Sequence, residues 1–271
     1  MKKTFQIGNG VALIITILIN YLSNTGLFNG KTMATVSAAY QNLFTPAGYA
    51  FSIWGLIYLG MLGFVFYYGR SLFKPVDDED QTVLQIGWWF IISCIANSLW
   101  VLAWLYDFTF ISVLLMVLLF ISLLRIVVNT KMELHDAPLK KFIFLWWPFC
   151  IYSGWVSVAL IANVAAYLTK TGWSGFGISE TAWAMVMIAI AAVIHIFMIW
   201  NRNMREFALV AVWALIAIAV ANQHENEIVF WSAVISAIIV FINISIHGYQ
   251  NRKSNPFLNN QKRKSGYAGK N

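Results

Sequence analysis

Apolar stretches of membrane-crossing length recur along this chain, separated by shorter polar segments, and their spacing predicts eight helices. A peptide group in hydrocarbon must find its hydrogen-bond partner internally, and a helix provides one within a single segment. About 20 mostly apolar residues are then enough to cross a bilayer core. Such windows run over 8–24, 47–69, 83–106, 108–128, 141–168, 181–200, 207–222 and 228–249. The predicted fold class is an all-α integral membrane protein with eight transmembrane helices.

The basic residues predict how these helices are threaded. Lys and Arg in short loops stay on the cytoplasmic side during insertion, whereas Asp and Glu count for little. With eight crossings, all but Lys31 and Lys170 of the 18 Lys and Arg residues fall on one side. Adding or removing an interior helix scrambles that segregation, so both termini are expected in the cytoplasm. The net charge of +7 is spread over loop ends and a polar tail rather than gathered on one folded face. The lipid bilayer is therefore the expected partner, and nucleic acid is not. The apolar run after Lys2 and Lys3 reads as a retained span, because the cleavage-like Val36-Ser37-Ala38 lies too far beyond it for a secretory signal. Cys94 and Cys150 both fall inside spans and read as small core residues.

Composition divides the chain into three parts. The Gly- and Ser-rich stretch from Thr169 to Glu180 is the strongest linker signal. It separates a five-helix bundle, residues 1–169, from a three-helix membrane extension, residues 170–250. Residues 251–271 form a basic tail, expected to be disordered and cytoplasmic.

Candidate chemistry lies where polar and aromatic groups sit at membrane depth, since such groups are costly there unless partnered. Three stripes share helix faces: Phe51, Trp54 and Tyr58; Ser93, Asn97, Trp100 and Trp104; and Tyr152, Trp155, Ala159 and Asn163. Each alone is ordinary helix packing, in which small and polar residues hold membrane helices together. Three at one depth provide rings to stack on and a few amides and hydroxyls to orient a flat, apolar ligand.

At these residues the chain resembles the TspO/translocator-protein family, also called tryptophan-rich sensory proteins. The resemblance rests on Pro46-Ala-Gly-Tyr-Ala-Phe51-Ser-Ile-Trp54-Gly-Leu-Ile-Tyr58, on Asn97-Ser-Leu-Trp100, and on Tyr152-Ser-Gly-Trp155-Val-Ser-Val-Ala159-Leu-Ile-Ala-Asn163. Order and helix assignment agree over residues 1 to 168. The stretch from Phe51 to Trp54 is one residue shorter than the family pattern, and the helix proline usual there is absent. Pro148 stands four residues before Tyr152 instead of beside it, and three helices follow that five-helix members lack. The chain is thus similar to that family as a divergent, extended relative.

The resemblance implies a receptor or sensor for a porphyrin, haem or a sterol-like molecule, with a regulatory or stress-response role and no required cofactor. Trp54, Tyr58, Trp100, Tyr152 and Trp155 would stack on the ligand, Asn97 and Asn163 would orient it, Ala159 would leave room, and the segment from Asn24 to Thr45 would be the lid. It also implies a multi-pass protein of a bacterial plasma membrane and, by analogy, a homodimer. No nucleophile–base pair, metal cluster or phosphate-cradling loop is present, so no enzyme activity is expected, although porphyrin degradation is proposed for some family members. The alternative is a secondary transporter for a tetrapyrrole or another small hydrophobic molecule, although buried acids and repeats are missing. His195, mid-span in the sixth helix, reads as a packing histidine. Asp107 reads as a helix cap, and the run Asp77-Asp78-Glu79-Asp80 as solvated.

Overall fold

The computed structural model describes residues 1–73 and 81–252. The acidic run 77–80 and the tail from residue 253 lie outside the described residues. Within them the chain is helical, with no strand. The helices are α1 (Lys2–Leu22), α2 (Met33–Ala39), α3 (Ile53–Gly69), α4 (Thr82–Ile86), α5 (Trp89–Leu105), α6 (Thr109–Asn129), α7 (Leu139–Lys141), α8 (Trp147–Lys170), α9 (Glu180–Arg202), α10 (Arg205–Asn222) and α11 (Glu227–Gln250).

Seven of the helical segments are long and apolar enough to cross a membrane, among the described residues. The third expected span is the exception. Gly87, at φ 55 and ψ −132, breaks the window 83–106 into α4 and α5, which leaves an apolar helix of 17 residues. Only glycine takes such a backbone conformation without strain. Seventeen residues lie near the low end of the length that crosses hydrocarbon. The fifth span starts with α7 and passes through a π-helical turn, Phe142–Trp146, into α8. Pro148 lacks an amide hydrogen and cannot complete the ordinary helical ladder, and the wider turn leads the chain past it.

Side-chain faces follow from the pattern. On α1, Phe5, Asn9, Leu13 and Thr16 are buried on one stripe, while Ile7, Ile14 and Leu18 are exposed and meet lipid in a bilayer. Helix α8 is central and packs on α3, α6, α9 and α10. Its contact with α10 is close: a Cβ on Gly154 would lie 2.6 Å from the Phe207 carbonyl oxygen. Local caps set several boundaries. The Thr35 amide donates to Thr32 Oγ1 at 3.2 Å and the Thr32 amide to Thr35 Oγ1 at 2.8 Å, starting a short helix inside the expected lid. Ser179 and Asn226 cap α9 and α11.

Alternate connections gather at opposite ends, as eight crossings require. At one end Lys31 pairs with the Asp107 carboxylate, Lys170 donates to the Asp107 carbonyl, and Asn29 Nδ2 donates to the Leu105 carbonyl at 3.0 Å. At the other, Gln6 Nε2 reaches Ser71 Oγ at 2.7 Å, Asn129 Nδ2 the Gln85 carbonyl at 3.1 Å, and Asn203 Nδ2 the Glu133 carbonyl at 2.9 Å. Lys31 and Lys170, the two residues set apart by the charge pattern, therefore meet at a single turn.

Candidate functional site

Helices α3, α5 and α8 bring the three aromatic stripes together, with Trp54 at the centre. Its ring stacks on Tyr58 at 5.6 Å and 21°, tilts against Trp100 at 6.0 Å, and meets Tyr152 at 5.8 Å and Trp155 at 6.4 Å edge to face. Phe51 meets Trp155 at 6.2 Å. Such offset and edge contacts are the favoured aromatic geometries. Trp100, Tyr152 and Trp155 are buried.

A hollow of about 60 Å3 opens beside these rings, lined on its inner side by Trp54, Trp100, Trp155, Ala159 and Asn163. Tyr58, Asn97 and Tyr152 are not in that lining. The roof is the first external connection, with Met33, Ser37 and Tyr40 from α2 and its flank, followed by Thr45 and Pro46. Its volume is that of roughly two waters, against the roughly 300–1,000 Å3 of ligand sites. In this form the rings fill the site with one another.

Both expected orienting amides already hold the cage. Asn97 Nδ2 donates to the Tyr152 hydroxyl at 2.9 Å, and Asn97 Oδ1 accepts from Asn20 Nδ2 at 2.8 Å. Asn163 Oδ1 accepts from the Trp100 indole at 2.7 Å, and its Nδ2 donates to Ser112 Oγ at 2.8 Å. By contrast, the Trp155 indole nitrogen is buried with no hydrogen-bond partner among the described residues. A buried unpaired donor of this kind costs about 1–3 kcal/mol, which a ligand acceptor would recover.

Asp107 has a different role from the expected cap. α6 begins at Thr109, its N-cap Phe108 makes no side-chain cap bond, and the Asp107 carboxylate instead accepts from Lys31 and, at 3.2 Å, from the Tyr40 hydroxyl. Partial burial pushes its carboxyl upward, but the Lys31 and Tyr40 hydrogen bonds outweigh this and leave it below its ordinary value. The same contact raises Tyr40, first through burial and then through Asp107. The roof helix is thus fastened through Tyr40 to the turn below it.

Sequence patterns gave no signal for the second fastening of the roof. The Ala47 amide donates to the Ala217 carbonyl at 3.0 Å, the Trp213 indole to the Ala50 carbonyl at 3.2 Å, and Asn222 Nδ2 to the Leu43 carbonyl at 2.9 Å. α10 therefore holds the segment that leads from the roof into α3. His195 is fully buried between Ala191 O at 2.7 Å and Ser157 Oγ at 3.3 Å, in packing contact with Phe207. At the opposite end Glu133 and Glu206 lie near Arg205, a grouping that joins the connection after α6 to the first turn of α10. Among the described residues no group of three or more His, Cys, Asp or Glu is placed to hold a metal.

The sequence profile of the family described as TSPO-like protein matches residues 6–246, across all eight helical segments. No curated protein matches the chain. No solved structure matches it either.

Proposed function

The chain belongs to the TSPO-like protein family, and from that premise we propose that this multi-pass membrane protein is a receptor for a flat hydrophobic ligand of the porphyrin, haem or sterol-like class. The observation that carries the reading is Trp54, whose ring touches four others from three helices at the edge of a roofed hollow. Family membership alone supports a membrane binding protein in general, and the ring cage supports the ligand class.

Binding requires the roof to lift and the rings to part, because the closed hollow is far smaller than any such ligand. Trp54, Trp100 and Trp155 then stack on its faces. The Trp155 N–H, unpaired in the closed form, donates to it. Asn97 and Asn163 orient the ligand through the rings they hold, and Ala159 keeps the inner wall low. The roof's movement makes occupancy visible outside the bilayer, which suits a sensing or regulatory role. The basic bias of the loops supports a cytoplasmic location for both termini and an outer location for the roof.

Titration of the purified protein with protoporphyrin, followed by Trp fluorescence, tests this. Saturable quenching is expected in the parent chain, with affinity weakened by about tenfold or more in Trp54→Ala plus Trp155→Ala, each stacked ring being worth about 1 kcal/mol or more. Quenching of equal affinity in the double variant contradicts the reading.

A further inference from the structure

The outer halves of α8 and α9 do not close on each other, and a second cavity of about 650 Å3 lies between them. It occupies the face of α8 opposite the aromatic hollow. Ala159, Ala162, Asn163 and Ala166 face the hollow, whereas Ile161, Val164, Ala165 and Leu168, at i, i+3, i+4 and i+7, face the cavity. α9 completes the apolar wall with Ala184, Met187 and Ile190. From Leu168 to Ile161 the wall is about 10 Å deep at the helical rise of 1.5 Å per residue.

The cavity has a built roof. The Trp183 indole donates to the Gly175 carbonyl at 2.9 Å, and the Trp173 ring lies 5.1 Å from Trp183. Gly175 is at φ +67, and a Cβ there would lie 3.1 Å from the Trp183 nitrogen, so the fold-over depends on glycine. Polar groups collect only at the outer rim, namely Gln41, Asn42, Thr169, Ser174 and Glu180. Glu180 is the charged residue of this lining. The two cations of that end, Lys31 and Lys170, are engaged at Asp107 and line no part of the cavity.

We propose that this cavity is a binding site for a non-anionic amphiphile with an apolar body of about 10 Å and a hydrogen-bond-donating head, an amine above all. The body fills the space between α8 and α9, and the head meets the Glu180 carboxylate and the Gln41 amide oxygen, while the Asn42 amide oxygen already accepts from the Phe44 amide. A phosphate or carboxylate head would face Glu180 with no cation at the rim to offset it. The site is separate from the aromatic hollow, and its test does not depend on a ligand there.

The experiment uses the full chain in nanodiscs of zwitterionic lipid, labelled with a photoreactive dodecylamine and mapped by peptide mass spectrometry. Adducts are expected to concentrate on residues 160–168 and 184–190. Unlabelled dodecylamine should compete better than dodecanoate, and Glu180→Gln should reduce that preference by about fivefold, the weight of one partly exposed charge contact. Val164→Trp, which narrows the cavity midway along its α8 wall, should remove these adducts and leave labelling of the lipid-facing side of α11. Labelling spread evenly over lipid-facing helices, as bulk acyl chains would give, overturns the proposal. So does equal competition by dodecanoate, or a preference unchanged in Glu180→Gln, whose exposed side chain makes misfolding no explanation.

Discussion

The Trp100 indole donates to Asn163 Oδ1 at 2.7 Å, and Asn163 donates in turn to Ser112 Oγ at 2.8 Å. One amide thereby links α5, α8 and α6 at membrane depth, where polar groups have no water to turn to. Asn163→Ala leaves the buried indole N–H unpaired, at a cost of about 1–2 kcal/mol. A lowered thermal midpoint in detergent is the expected result, with a smaller loss for Trp100→Phe. An unchanged midpoint in Asn163→Ala would mean that the link carries no stability.

Gly154 and Gly55 should respond oppositely to alanine. A Cβ at position 154 meets the Phe207 backbone at 2.6 Å, whereas one at position 55 meets nothing within 4 Å. Gly154→Ala forces α8 and α10 apart, at about 1–3 kcal/mol. Gly55→Ala is expected to be neutral or to add up to about 1 kcal/mol through helix propensity. Thermal unfolding of the two variants side by side tests this.

The contribution of Glu133 to stability should fall as pH rises through its folded-state value. Burial, with the nearby Glu206, pushes its carboxyl from 4.5 up to about 8, against the opposing pull of Arg205. Between these values the folded chain keeps a proton that the unfolded chain has lost. Since the unfolded state then binds fewer protons, unfolding free energy decreases with pH and levels off above the folded value. Glu133→Gln should flatten that slope when thermal midpoints are compared from about pH 5 to about pH 9. A slope retained in the variant would assign the effect to another group.

Asn222→Ala should loosen the roof without touching the rings, because Asn222 Nδ2 is one of the bonds that hold the Leu43 carbonyl to α10. Losing a bond of about 1 kcal/mol predicts about fivefold faster amide exchange over residues 43–47. Exchange at the parent rate would show that the Asn222 side chain does not steady the roof.

Much of this was legible in the apolar windows and the helical spacing of Phe51, Trp54 and Tyr58. Those stripes did converge, because their period matches the helix and their rings are costly to strand among acyl chains. The break at Gly87 was hidden, since hydropathy counts residues and does not register one residue at positive φ. So were the partners of Asn163 and Asn222. Each names a residue able to bond, but Ser112 lies 51 positions away and Leu43 lies 179 away. Asp107 misled for a related reason: its place before α6 suggested a cap, and Lys31 and Tyr40, far off in sequence, claimed the carboxylate. The size of the hollow was likewise beyond sequence spacing, which shows that rings meet but not how tightly.

Circular dichroism in the Soret region is the most direct measure of whether the ring cage holds the ligand. Protoporphyrin is achiral and acquires a signal only when held in a fixed chiral setting. The account predicts a saturable induced band in the parent chain, lost in Trp54→Ala plus Trp155→Ala and kept in Val164→Trp, which narrows only the cavity between α8 and α9. A band that survives the loss of the two indoles and disappears in Val164→Trp would contradict it.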